Sequence, residues 1–154
     1  LQTIREQGDP HALDAAIELA FPGSRLVVTD HTGRFELSLR QPGMLRPLSA
    51  PELSDGTLRY LVWVAALMST RPASLIAVNE PETSLHPSIL EPLAAMLTDA
   101  ATRAQIIVVS HSKTLVDALE RSGATVHTLE KTGGETRLRG QGSLDAPAWV
   151  WPTR

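Results

Sequence analysis

The chain has no cysteine among its 154 residues, so disulfides and thiolate metal sites are excluded and nothing marks an oxidising compartment. A cytoplasmic setting is the resulting expectation. Basic charge is also scarce. The formal net charge is -3 with 20% charged residues, which argues against a basic face strong enough for tight nucleic-acid binding by this chain unaided. No apolar run approaches the roughly 20 residues of a bilayer span. The longest lies around Leu61 to Met68, and no basic-then-apolar signal pattern opens the chain, so no membrane partner is expected. Internal repeats and low-complexity tracts are missing. So is an initial Met: the first residue is Leu1, which reads as a start inside a longer gene product or after processing, and the length suits a single domain or a fragment.

Two short apolar runs that end in titratable residues dominate what is present. Leu75-Ile76-Ala77-Val78 runs through Asn79 into Glu80, and Pro81, which has no N–H for a sheet ladder, ends the run. Gln105 to Val109 is a second such run, ending in Ser110-His111-Ser112. Between them Pro87 to Ala101 carries Ile89, Leu90, Leu93, Met96 and Leu97 at helical spacing, with Pro92 able to shift the start or kink the first turns. A strand, a helix and a strand of these lengths predict a βαβ unit with buried parallel strands, so that Glu80 and His111 emerge at one sheet edge.

The flanking segments predict supporting structure. His11 to Ala20 reads as a short amphipathic helix closed by Pro22-Gly23, and Leu26–Thr29 with Phe35–Leu39 as an antiparallel hairpin around Asp30 to Gly33. Asp30 and His31 read as loop polarity, since no third metal ligand lies near. After the turn-rich 41–51 connector, Leu53-Ser54-Asp55-Gly56-Thr57 leads into Leu58 to Met68, apolar nearly all round and so expected to be buried. Ser54 or Asp55 is suited to cap that helix, and its first turn to bind an anion. A helix over Lys113–Arg121 capped by Ser112 and ended by Gly123, then strands over Ala124–Glu130 and Glu135–Arg139 around Thr132-Gly133-Gly134, complete the expectation. Trp149 and Trp151 read as packing on their own domain. Glu80 alone could be a turn cap and His111 alone a core histidine. Together with the Ser-Asp-Gly turn they suit phosphoanhydride hydrolysis, which needs a carboxylate to orient water, an imidazole near the terminal phosphate and helix-end donors.

At these residues the chain resembles a family. Leu53-Ser54-Asp55-Gly56-Thr57 looks like the signature motif of ABC-type ATPases, Leu75 to Glu80 like a Walker B strand, Pro81 to Pro87 like the D-loop region of the AAA_21 group of soluble ATPases, and His111 like a switch histidine. That group is related to RecF-like, OLD-family and structural-maintenance-of-chromosomes (SMC) heads, and the likeness covers roughly residues 50 to 130. It implies an α/β P-loop NTPase fold with a mainly parallel sheet, flanking helices and a small antiparallel element near the N-terminus. Residues 1–50 would form a helix-plus-hairpin arm and residues 51–154 the C-terminal part of the head. The resemblance further implies ATP and Mg2+ as ligands, with two heads forming a homodimer around ATP through signature and D-loop faces. Glu80 would orient water, His111 would contact the γ-phosphate, and Ser54, Asp55 and Gly56 would serve the partner's nucleotide. Ser84 and His86 would lie near the interface.

Two departures qualify what the resemblance implies. No Gly-x-x-x-x-Gly-Lys-[Ser/Thr] occurs, because neither Lys113 nor Lys131 follows a glycine, so the P-loop half is expected on a missing N-terminal segment and this chain alone is expected to bind ATP weakly. Asn79 stands where the family usually has an acid for Mg2+, and an amide brings no charge to offset the cation. The leading expectation is an ATPase head segment that dimerises with ATP, in DNA repair or defence by family analogy, which is also the only ground for a nucleic-acid partner. A non-catalytic dimerisation or interaction module and the nucleotide-binding domain of a transporter are the alternatives, and a nuclease would need an added acidic metal domain.

Overall fold

The computed structural model describes residues 1–140, so Trp149 and Trp151 lie outside the described residues. The chain divides into a unit of Leu1–Ala124 and a second of Thr125–Arg154.

The first unit opens with α1 (Gln2–Gln7), unanticipated because only Ile4 of its six residues is buried. In α2 (Pro10–Ala20), Asp9 caps the start by accepting from the His11 and Ala12 N–H groups at 2.9 Å, and Pro10 occupies the first turn, where no N–H is needed. Leu13, Ile17 and Ala20 line its buried face. The hairpin of β1 (Arg25–His31) and β2 (Arg34–Arg40) is longer than expected. Its register runs from Arg25↔Arg40 to His31↔Arg34, which leaves Thr32 and Gly33 as the whole turn. Both have positive φ, 54° and 89°, the backbone twist that matches two strands joined by two residues. β3 (Leu48–Ser49) adds a third antiparallel strand within the connector.

Ser54 caps α3 (Asp55–Leu67), whose buried positions Thr57, Tyr60, Leu61, Val64 and Leu67 follow one helical stripe. The expected all-round burial is not found, because Val62 is 62% exposed on the opposite side. Tyr60 is enclosed: its hydroxyl donates to the Ala16 carbonyl at 3.0 Å, Phe21 meets its ring edge-on, and burial raises its pKa to about 12.

β4 (Leu75–Asn79) and β5 (Gln105–Val109) pair in parallel, from Leu75↔Gln105 to Asn79↔Val109. A single 3-10 turn at Pro87–Ile89 precedes α4 (Leu90–Ala101), which places Pro92 in the first helical turn. Its missing N–H costs nothing there, so the proline sets the start and does not break the helix. α5 (Lys113–Arg121) starts at Ser112, which accepts from the Leu115 N–H at 3.3 Å. One core joins Leu13 and Ile17 of α2, Leu26 and Leu39 of the hairpin, Tyr60 and Val64 of α3, Leu93 and Leu97 of α4 and Leu115 of α5. The expected burial of β4 and β5 on both faces is corrected. Ile76, Ile106 and Val108 pack toward the core, whereas Leu75, Ile107 and Val109 on the other face are about half exposed.

In the second unit β6 (Leu129–Thr132) and β7 (Glu135–Leu138) form an antiparallel hairpin around Gly133-Gly134. β6 begins five residues later than the sequence suggests, since β7 offers only four residues to pair with.

Candidate functional site

Glu80 follows β4 directly, and its backbone N–H donates to the Val109 carbonyl at 2.8 Å. The residue then turns left-handed at φ 46°, a conformation that costs a non-glycine residue about 1–3 kcal/mol and persists only where neighbours enforce it. The Glu80 carbonyl accepts from the Thr83 N–H at 3.1 Å, and Pro81 is fully buried behind it. His111 follows β5 by two residues. The parallel register brings both ends to the same edge, with His111 Nε2 at 3.5 Å from Glu80 Oε1. The two side chains are 83% and 45% exposed, so the contact is an ion pair only when the imidazole is protonated, and solvent reaches both groups. A carboxylate open to water can orient a water molecule and take up its proton, and an imidazole beside it can donate to an anion bound at the same edge. Asn79 is exposed at the last position of β4, next to Glu80.

Ser54 Oγ is committed to the helix start, accepting from the Thr57 N–H at 3.2 Å and lying 2.9 Å from Thr57 Oγ1. Gly56 follows in the first turn of α3, where a Cβ would lie 2.6 Å from the Ser84 carbonyl oxygen. Ser84 itself has a left-handed φ of 65°. Asp55 and Ser84 line a shallow hollow of about 430 Å³ with Leu58, Arg59, Val62 and Trp63. The Ser-Asp-Gly turn and the loop after Glu80 therefore touch within one chain. His86 stands apart from the Glu80–His111 contact: its Nδ1 accepts from the Ser88 N–H at 3.3 Å and caps the turn that leads into α4.

Sequence reasoning assigned no role to Glu82, Arg59 or Trp63. Trp63 Nε1 donates to the Pro81 carbonyl at 3.2 Å and ties α3 to the loop. Glu82 Oε1 accepts from Ser110 Oγ at 2.7 Å and from the His111 and Ser112 N–H groups at 2.9 and 3.1 Å. Burial by itself would push this carboxyl up, but the Ser110 hydroxyl, the Glu82 N–H and the His111 and Ser112 N–H groups together hold it below the usual carboxylate range. The available signal was the second acid in Glu80-Pro81-Glu82.

Among the described residues no group of three or more His, Asp or Glu side chains gathers as a metal site. Mg2+ keeps most of its ligands as water and phosphate oxygens, so Asn79, exposed at the end of β4, fits as an acceptor from a water bound to an ion that arrives with a nucleotide.

A family model described as "AAA domain, putative AbiEii toxin, Type IV TA system" matches residues 1–117. The chromosome partition protein Smc of a Synechococcus species is 30% identical over 96 residues, 62% of this chain and 8% of that protein. Among solved structures, an SMC ATPase from work on ATP-driven dimerisation and DNA-stimulated activation superposes with a TM-score of 0.66 at 14% identity, covering 87% of this chain and 83% of that one. The SMC head domain from Thermotoga maritima gives 0.59 at 24% identity, covering 82% and 44%. The chain thus has the fold of SMC ATPase heads and spans a small fraction of the length of the Smc relative.

Proposed function

The chain belongs to the AAA domain family whose model spans its first 117 residues, and from that membership we propose that it forms the water-activating part of an ATP-hydrolysing head that dimerises around nucleotide. One observation carries the reading: Glu80 Oε1 and His111 Nε2 lie 3.5 Å apart at the carboxyl edge of a parallel strand pair in a chain with the SMC-head fold. That edge is where α/β sheets of this kind hold their ligands.

In this reading ATP is the substrate and Mg2+ would offset the phosphate charge, with Asn79 accepting from one of the ion's bound waters. Glu80 orients a water molecule and takes up its proton at a carboxylate oxygen. The water oxygen bonds to the γ-phosphorus as the bond to the bridging oxygen breaks, which leaves ADP and inorganic phosphate. His111 donates from Nε2 to the γ-phosphate, and the first turn of α3, with Ser54, Asp55 and Gly56, meets the nucleotide of a second copy. Ser84 and His86 belong to the same dimer face. A role in DNA repair or defence, and any nucleic-acid partner, remain within this proposal.

The test uses the full-length protein. Glu80→Gln should lower kcat for ATP by roughly 100- to 10,000-fold, the span of a lost general base, while ATP binding and the ATP-dependent dimer, followed by light scattering, persist. Turnover that Glu80→Gln leaves intact overturns the assignment.

A further inference from the structure

The register of β4 and β5 ends at Asn79↔Val109, one position before Glu80 and two before His111. Past that point the strand ends are tied by the Glu80 N–H on the Val109 carbonyl and by Glu82. The Glu82 tie is unusual in its economy. A single oxygen, Oε1, gathers a hydroxyl and two consecutive backbone N–H groups from Ser110, His111 and Ser112, while Oε2 is closed to solvent without a partner. Leaving one carboxylate oxygen buried and unpaired costs free energy, so this arrangement holds only while the three donors stay fixed around the other. The loop that carries Glu82 is itself fastened to α3 by Trp63 on the Pro81 carbonyl and by the close approach of Gly56 to Ser84. Beyond the last paired residues of the sheet, the backbone of His111 is therefore also held from α3, through the loop and through Glu82.

We infer that Glu82 is a positioning residue whose carboxylate clamps the Ser110–Ser112 loop so that His111 Nε2 faces Glu80 Oε1. The inference rests on the hydrolase reading above for its consequence but not for its geometry. Misplacing a catalytic group by about 1 Å can cost on the order of 100-fold in rate, so the clamp acts on kcat and leaves nucleotide affinity alone. Glutamine at this position keeps a carbonyl oxygen for the same three donors, whereas alanine keeps none.

Two measurements on the full-length protein test it. In amide hydrogen exchange, Glu82→Ala should speed exchange at His111 and Ser112 by more than about tenfold with Ala118 and Leu119 of α5 still protected, and Glu82→Gln should restore most of the protection. In ATP turnover, Glu82→Ala should lower kcat by roughly 10- to 100-fold with KM changed less than about twofold, and Glu82→Gln should recover most of it. Ser110→Ala, which removes one donor and leaves the carboxylate, should give a smaller loss in both. Unchanged exchange at His111 and Ser112 in Glu82→Ala overturns the clamp. Faster exchange with unchanged kcat, in a protein that Glu80→Gln inactivates, overturns the positioning role. A full-length protein without turnover refutes the hydrolase reading, and the exchange measurement then decides the clamp by itself.

Discussion

Gly56 occupies a helical turn and needs no left-handed backbone; what it needs is the absence of a side chain. An alanine Cβ would fall 2.6 Å from the Ser84 carbonyl oxygen, which belongs to backbone that cannot swing aside as a flexible side chain would. Gly56→Ala should therefore destabilise by about 1–3 kcal/mol, seen as a fall in Tm of roughly 2–4 °C per kcal/mol for a chain of this size. An unchanged melting curve would mean that the loop yields freely. Glu82 supplies a prediction in pH. Its folded pKa lies below the ordinary glutamate value of 4.5, so its contribution to stability is fully present above that value and is lost as pH falls through the lowered folded one. Glu52, pulled down by Arg46 and Ser49, has the same sign, so the comparison must be with Glu82→Gln. The gap in urea midpoint between the two proteins should be widest near about pH 7 and should narrow as pH drops below about 4.5; a constant gap contradicts the assignment. At this scale the candidate pair was legible in the sequence, because an acid and a histidine that each end an apolar run can be located without coordinates. Glu82 was not, since its value depends on donors 28 to 30 residues away.

The elements divide by how local their determinants are. α2, α3 and α5 lie close to where spacing and capping residues put them, because Asp9, Ser54 and Ser112 satisfy N–H groups within their own first turns. α1, β3 and the start of β6 depend on partners that periodicity does not report. The β4–β5 pair shows the same limit. An apolar run of five residues predicts burial on both faces, but which face is covered depends on where the helices pack. Leu93, fully enclosed on α4, and Ile107, 47% exposed on β5, make the contrast measurable. Leu93→Ala should cost about 2–5 kcal/mol in urea unfolding, and Ile107→Ala less than about 1 kcal/mol. Equal losses would mean that the outer face of the pair is covered in solution.

For the whole molecule, every candidate site residue from Ser54 to His111 falls within the unit of Leu1–Ala124, where α2, the β1–β2 hairpin and α3 share one core with the strands that lead to Glu80 and His111. The sequence by itself determined where the β4 and β5 runs stop, that Ser112 caps α5 and where an acid and an imidazole become available, since all of these follow from neighbours a few positions apart. Tertiary structure alone decided that Glu80 and His111 stand 3.5 Å apart, that Glu82 holds the loop between β5 and α5, and that Gly56 leaves room for Ser84. Those outcomes depend on packing between segments about 30 residues apart, where a few tenths of an ångström separate a contact from a clash and no local pattern records the distance.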